Sequence, residues 1–323
     1  MREYLIRRLV LIIPTLFVVT ILVFGMIRFI PGSVLQMMTF SLVGVEGEDK
    51  DTQERVDAIR HRMGLDVPVH IQYGRWMTGI FTRGDLGTSL WTQQPVTEEI
   101  GRRLPVTIEL GLLSIIIAQI IALPVGIISA IRQDSWMDYL GRSFAIISLA
   151  TPAFWLATMI MVFPPIWWGW SPPVQYIQFA DDPLGNLGQF LIPAFLMGTA
   201  MSAGIMRMLR TTMLDVLRQD YVRTAWAKGL RERVVVVRHA MRNALIPVIG
   251  MIIGQIGVML GGAVIMEQIF SLPGMGRLFL DAITRRDYPY VSGLNLIFGT
   301  FGMFMILIID ISYAYLDPRI RYR

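Results

Sequence analysis

Cysteine is absent from the 323 residues, which excludes a disulfide framework and any thiolate metal site. Charge is scarce as well. Asp, Glu, Lys and Arg make up 16% of the chain, against about 25% in a soluble domain. Lysine occurs only at Lys50 and Lys228, and neither follows a glycine-rich stretch, so the G-x-x-x-x-G-K-[ST] phosphate cradle is missing. The three histidines, His61, His70 and His239, are far apart and form no H-E-x-x-H pattern. No G-x-S-x-G elbow and no paired-carboxylate site in a persuasive context occurs either. An enzyme reading has no chemistry to stand on, so no catalytic residue, metal or resident cofactor is expected on this chain.

What is abundant is apolar sequence. Hydrophobic residues make up 54% of the chain and its mean hydropathy is +0.54. A bilayer core about 30 Å thick takes about 20 apolar residues per helix. Six stretches qualify, at about 9–30, 104–131, 139–163, 189–209, 244–268 and 291–316, which predicts an all-α membrane protein with six transmembrane helices. The first follows MREYLIRR. Its run of roughly 20 exceeds the 7–15 of a signal-peptide core and no small-x-small cleavage site follows, so it reads as a retained anchor. The net charge of +5 and pI of about 9.7 fit basic cytoplasmic loops better than nucleic acid, and no nucleic-acid partner is expected. With both termini inside, the cytoplasmic segments carry 17 of the 29 Lys and Arg. Most of the other 12 lie in one long loop, and long loops determine topology weakly. The short loops favour cytoplasmic N- and C-termini.

This divides the chain into an anchor helix at 1–30, an extracytoplasmic lobe at 31–103, a core transmembrane domain at 104–316 and a tail at 317–323. The loop at 31–103 is too long and too patterned for a connector. DTQERVDAIRHRMG reads as a helix capped by Asp51, with Glu54 three residues on and Gly64 closing its end. From Pro68, Val69, Tyr73, Trp76, Met77 and Ile80 fall at helical spacing, an amphipathic helix suited to the membrane interface. WWGW at 167–170 suits an outer aromatic belt.

One polar stretch interrupts the apolar pattern. Between Arg207 and Arg242 lie nine basic and three acidic residues. Leu214, Leu217, Tyr221 and Ala225 fall at helical spacing and lead into Lys228 and Gly229, where glycine can supply a positive φ that ends a helix and turns the chain. A second segment starts near Glu232. Two readings fit this hairpin at about 210–243: a basic loop lying on lipid headgroups, or a short helix presented to a cytoplasmic protein.

Several motifs resemble the permease subunits of ABC importers, in the dipeptide, oligopeptide and nickel branch. They are YLIRRLVLIIPTLFVVTILVF (4–24), RFIPG (28–32), RGDLGTSL (83–90), RLPVTIELG (103–111), DYVRTAWAKGL (220–230), RHAMRNALIPV (238–248), FSLPGMGRL (270–278), RDYP (286–289) and LDPRIR (316–321). Their order and spacing cover essentially the whole chain, and the long first outer loop is similar to the B-type permease. The family's Glu-Ala-Ala-x-x-x-Gly falls on Arg223, Thr224, Ala225 and Gly229, so the Glu and the first Ala are replaced. The later Ile-x-Leu-Pro falls on His239, Ala240, Met241 and Arg242 and is lost. The resemblance implies the ABC importer permease fold, in a bacterial or archaeal plasma membrane. It also implies a second homologous permease, two cytoplasmic ATPases carrying ATP and Mg, and an extracytoplasmic substrate-binding protein. Arg223, Thr224, Ala225, Lys228 and Gly229 would then form the ATPase-coupling turn. The implied cargo is di- or oligopeptides, with nickel or another small solute left open.

Inside the spans, Gly250, Gly254, Gly257 and Gly261 are spaced for close helix packing or for lining a pathway. Ala194, Gly198 and Ser202 repeat the pattern. Glu109, Glu267 and Asp310 are ionisable groups in or near lipid, where such groups default to functional hypotheses, with structural pairing as the plainer role. A self-contained ion-coupled transporter or channel would need coupling carboxylates at mid-depth and often an internal repeat, and neither is visible.

Overall fold

The computed structural model describes residues 2–26, 57, 60, 61 and 64–316. Among these the secondary structure is helical, apart from an isolated bridge between Thr88 and Pro95. The helices are α1 (Arg2–Met26), α2 (Val69–Arg83), α3 (Val96–Ile131), α4 (Trp136–Ala150), α5 (Ala153–Trp168), α6 (Pro183–Leu217), α7 (Asp220–Ala227), α8 (Met241–Ile269), α9 (Met275–Arg285) and α10 (Tyr288–Leu316). Four described helical stretches are long and apolar enough to cross a bilayer: Val96–Ile131, Pro183–Leu217, Glu232–Gly257 and Tyr288–Ser312. The bent pair α4 and α5 makes a fifth, and α1 contributes the shorter apolar stretch Val10–Gly25.

The expected span at 139–163 is broken. α4 and α5 meet at 82°. Pro152 has no N–H to donate and disfavours helical backbone at the residue before it. Thr151 is accordingly extended, at φ −94° and ψ 116°, and Pro152 caps the start of α5. Pro14 and Pro193, by contrast, lie inside helices.

Local signals place the other ends. Asp182 caps α6 by accepting from the Gly185 N–H at 3.0 Å, and Pro183 opens the helix, a position where a missing N–H costs nothing. Gly84 closes α2 at φ 64°. Gly64, expected to end the preceding helix, sits at φ +62°. Its N–H donates to His61 O, and that of Leu65 to Arg60 O. Asp51, Val56, Ile59 and Met63 of that expected helix lie outside the described residues, as do RFIPG and the end of LDPRIR.

The chain forms two compact units. One comprises Met1–Arg8, Val106–Pro273 and Gly302–Arg323; the other comprises Leu9–Pro105 and Gly274–Phe301. In the first, α6 is the central element and buries residues such as Phe190, Leu209 and Met213 completely. Small residues let α6 approach its neighbours: a Cβ on Gly198 would lie 2.7 Å from the Ser114 carbonyl oxygen of α3. The segment before α6 is pinned to it by side-chain amides. Gln189 accepts from the Ile177 N–H at 3.1 Å and donates to Gln175 O at 3.0 Å, and Asn186 donates to Ile177 O at 2.9 Å. Trp167, Trp168 and Trp170 are exposed.

In the second unit, aromatic residues on the apolar face of α2 pack against α1. Phe24 of α1 stacks on Trp76, with ring centroids 5.5 Å apart, and meets Tyr73 edge-on at 5.2 Å. The Tyr73 and Thr20 hydroxyls lie 2.8 Å apart. Two aromatic residues of that face thus find ring partners within the chain. Two sequence motifs far apart also meet here. Asp287 is buried and accepts from the Ser89 hydroxyl, from the Leu90 N–H at 3.1 Å and from the Tyr290 N–H. Trp91 Nε1 donates to Arg285 O at 2.9 Å. RGDLGTSL and RDYP thus form one clasp. Burial pushes the Asp287 carboxyl above its usual range, although its hydrogen bonds pull the other way.

Candidate functional site: the basic hairpin

The hairpin is two helical pieces around a glycine. The expected continuous run from Leu214 to Ala225 is interrupted: α6 stops at Leu217, Gln219 is extended at φ −72° and ψ 147°, and α7 starts afresh at Asp220. A helix of eight residues is marginal on its own, so packing holds it. Val222 and Ala225 are buried with Val235, against Val216 and Leu217. Gly229 then turns the chain at φ +73°, with nothing within 4 Å of where a Cβ would sit. The backbone angle, not lack of room, demands glycine there.

The return arm begins with the turn Glu232–Val234 and continues as a π-helical segment, Val235–Ala240, before α8. Such π-segments are rare and cluster at functional sites. Tyr221 ties the two arms. Its hydroxyl accepts from Asn243 Nδ2 at 2.7 Å and donates to His239 O at 3.4 Å.

Of the candidate coupling residues, Ala225 faces inward, and its small side chain serves this internal packing. Arg223, Thr224, Lys228 and Gly229 are exposed. Arg223 reaches Asp220 at 3.6 Å, and the Thr224 hydroxyl donates to Asp220 O at 2.9 Å. Beside these polar groups stand Trp226, Leu230, Val234 and Val237, all exposed. Sequence periodicity alone missed this mixed apolar and basic surface, because which face α7 buries depends on the break at Gln219.

A buried ion pair connects the first turn of α4 to α6. Asp138 is fully buried and accepts two hydrogen bonds from Arg210, one from Nε and one from a terminal nitrogen, each 2.7 Å. It also accepts from the Asp134 N–H at 3.0 Å, and Arg142 Nε lies 3.6 Å away. Bidentate geometry of this kind is the strong form of the interaction. Nothing in the spacing of Asp138 and Arg210 announces the pairing.

The intramembrane candidates fall in different places. A Cβ on Gly257 would lie 3.1 Å from Met305 Cβ, and one on Gly254 would lie 3.8 Å from Ile309 Cδ1, so these two face α10. Gly250 is buried, whereas Gly261 is exposed with open space beside it. Gly254 also borders a cavity of about 620 Å³ that includes Met197, Met201, Met251, Met259 and Met266. Glu267 is fully buried and accepts from the Thr107 hydroxyl at 2.6 Å. Glu109 is half-buried and hydrogen-bonded to Asn186. Asp310 is half-buried in α10. Glu109 and Glu267 thus have different hydrogen-bond partners. No cluster of three or more metal-ligating side chains occurs among the described residues.

Several bilayer-length helices and an exposed basic hairpin on a buried support define a polytopic helical membrane protein. Comparison with known proteins narrows this class. Residues 122–322 match the family described as binding-protein-dependent transport system inner membrane component, and residues 1–111 match that system's N-terminal membrane component. The chain is 38% identical to a putative peptide transport system permease protein of Brucella abortus (strain 2308). It is 39% identical to a dipeptide transport system permease protein of Alkalihalophilus pseudofirmus and 36% identical to a glutathione transport system permease protein of Salmonella paratyphi A. Each alignment covers 100% of both chains. A crystal structure of an amino acid ABC transporter with histidines aligns at 13% identity and TM-score 0.48, over 69% of this chain and 95% of that one. The chain belongs to the family of binding-protein-dependent transport system inner membrane components, the membrane permeases of ABC transporters.

Proposed function

We propose that this chain is the permease subunit of an ATP-driven importer of di- and oligopeptides, and that it forms half of the translocation pathway. The observation that carries the cargo class is full-length similarity to relatives named for peptides, dipeptides and glutathione. The hairpin supports the coupling role. A short helix packed on its own base, ending at a positive-φ glycine and presenting Arg223, Thr224, Lys228, Trp226 and Leu230, suits a groove on a soluble partner. Exposed apolar side chains beside fixed charges are poor company for bulk water.

In this reading two cytoplasmic ATPases bind ATP and Mg, and one docks on the hairpin. Closure of the ATPases pushes α7, and packed helices with two discrete arrangements amplify the push into alternating access. A second permease completes the pathway and an extracytoplasmic protein delivers the peptide. The hairpin and both termini then face the cytoplasm, as the Lys and Arg distribution favours.

The test is purification of the chain from its native membrane in mild detergent, with every co-purifying protein identified, followed by uptake of labelled dipeptide into proteoliposomes loaded with ATP. Recovery of a second permease and one or two ATPases, with ATP-dependent uptake, is the expected result. Recovery of the chain alone, under conditions that keep other complexes intact, would return the self-contained transporter to favour.

A further inference from the structure

A second cavity, of about 220 Å³, lies in the unit formed by Leu9–Pro105 and Gly274–Phe301. Ligand pockets that hold a whole drug-sized molecule run to about 300–1,000 Å³, so this one has room for a single side chain or one end of a peptide. Arg75 and Trp76 of α2, Leu90, Tyr288 and Ser292 are among its lining residues.

The walls are fixed. Trp76 is held through its indole N–H, which donates to Leu86 O at 3.1 Å, and by the stack on Phe24. The clasp of Asp287 on Ser89 and Leu90 holds the loop beside Leu90. Gly87 comes close enough to Pro289 that a Cβ there would lie 3.2 Å from the ring.

Two side-chain donors, Arg75 and Ser292, line the cavity. Arg75 forms no ion pair within 4.0 Å among the described residues. Asp66 contributes to its electrostatic surroundings but is itself taken by His61, at 2.6 Å. Ser292 is 2% exposed and lines the cavity. A residue with a guanidinium and a buried residue with a hydroxyl, both lining one small cavity with aromatic walls, suit an acceptor carrying negative charge next to an apolar group. A carboxylate matches the fork of a guanidinium, and the carboxyl-terminal residue of a peptide joins a carboxylate to a side chain.

We propose that this cavity binds the C-terminal carboxylate of a peptide, with Arg75 and Ser292 as its donors and the rings of Trp76 and Tyr288 beside the last side chain. The assignment rests on the peptide reading above and adds a station for the cargo on the permease itself.

The experiment measures binding of labelled trialanine and of its C-terminal amide to the assembled transporter in lipid nanodiscs, without the delivery protein. Removing a hydrogen bond to a charged group weakens binding by about tenfold or more, so trialanine should bind about tenfold more tightly than the amide. Arg75→Gln should abolish that preference, and Arg75→Lys should keep part of it. Ser292→Ala should weaken the acid more than the amide. Arg75 is exposed, so its replacement leaves the fold intact. Equal binding of acid and amide, no binding of either, or a preference that survives Arg75→Gln overturns the assignment. So does an Arg75→Gln variant that changes only the phospholipid co-purifying with the complex, which would make the cavity a headgroup site. Uptake of dipeptide by the wild-type transporter, measured alongside, separates the two readings. Uptake without discrimination at Arg75 removes this site alone, whereas absence of uptake removes the peptide reading as well.

Discussion

Glycine to alanine at two positions of α6 should have opposite effects on stability. At Gly204 a new Cβ would meet only the terminal Met251 Cε, at 3.5 Å, an ordinary contact with the movable end of a side chain. At Gly198 it would meet the Ser114 carbonyl oxygen at 2.7 Å and Ile117 at 2.9 Å. The oxygen belongs to helix backbone and cannot swing away, so α3 and α6 must separate by about 0.7 Å to restore a normal contact of about 3.4 Å. Both substitutions gain up to about 1 kcal/mol of helix propensity. Gly198→Ala in addition overpacks a tight interface, at a cost near about 3 kcal/mol because the clash is with backbone. The net is a loss of about 2 kcal/mol at Gly198 and a gain of at most about 1 kcal/mol at Gly204. For a chain of this length about 1 kcal/mol moves the melting midpoint by roughly 2 °C. Midpoints are compared at one heating rate in one detergent, by tryptophan fluorescence, since membrane proteins often unfold irreversibly. Gly204→Ala should melt at or slightly above wild type, and Gly198→Ala roughly 4 °C below. Equal midpoints, or a higher one for Gly198→Ala, would refute the close approach of α3 and α6.

Three further outcomes follow from other parts of the molecule. Separating Asp138 from Arg210, by Asp138→Asn or Arg210→Gln, should each destabilise by about 2–3 kcal/mol, below the full cost of breaking a buried pair because Arg210 is partly exposed; the double variant should cost little more than either single one, and simple additivity would show that the pair is not coupled. Asp287, whose folded carboxyl titrates above the usual range, favours its protonated form, so stability falls as pH rises from the ordinary carboxylate value of 3.8 through the raised one. Asp287→Asn should remove that slope, and parallel melting curves for the two proteins across pH 4 to 8 would contradict it. Gly229→Val places a β-branched residue at φ +73°, where even an ordinary L-residue costs about 1–2 kcal/mol. The spans should still insert while ATP hydrolysis continues without uptake, and normal uptake would remove the turn from the coupling role.

The sequence by itself determined the solvent this protein lives in, the helical class and the position of the polar interruption. These depend on composition and local periodicity: apolar length is legible residue by residue, and a glycine needed for a positive φ at position 229 announces itself between two helical patterns. The motifs also placed the chain in its family, because they recur in order along the whole length. What the sequence left undetermined was decided by contacts between distant residues. That α4 and α5 bend by 82° was half legible, since Pro152 marks the place but not the angle. That Ala225 faces inward followed from the break at Gln219, which shifts the phase of α7 relative to α6. The aromatic face of α2 was legible as apolar, but that Phe24 of α1 stacks on its Trp76 was not, because periodicity does not name a packing partner. The pairs Asp138 with Arg210 and Ser89 with Asp287 join residues 72 and 198 positions apart. A charge in a sequence carries no record of its partner, so tertiary structure alone could supply it.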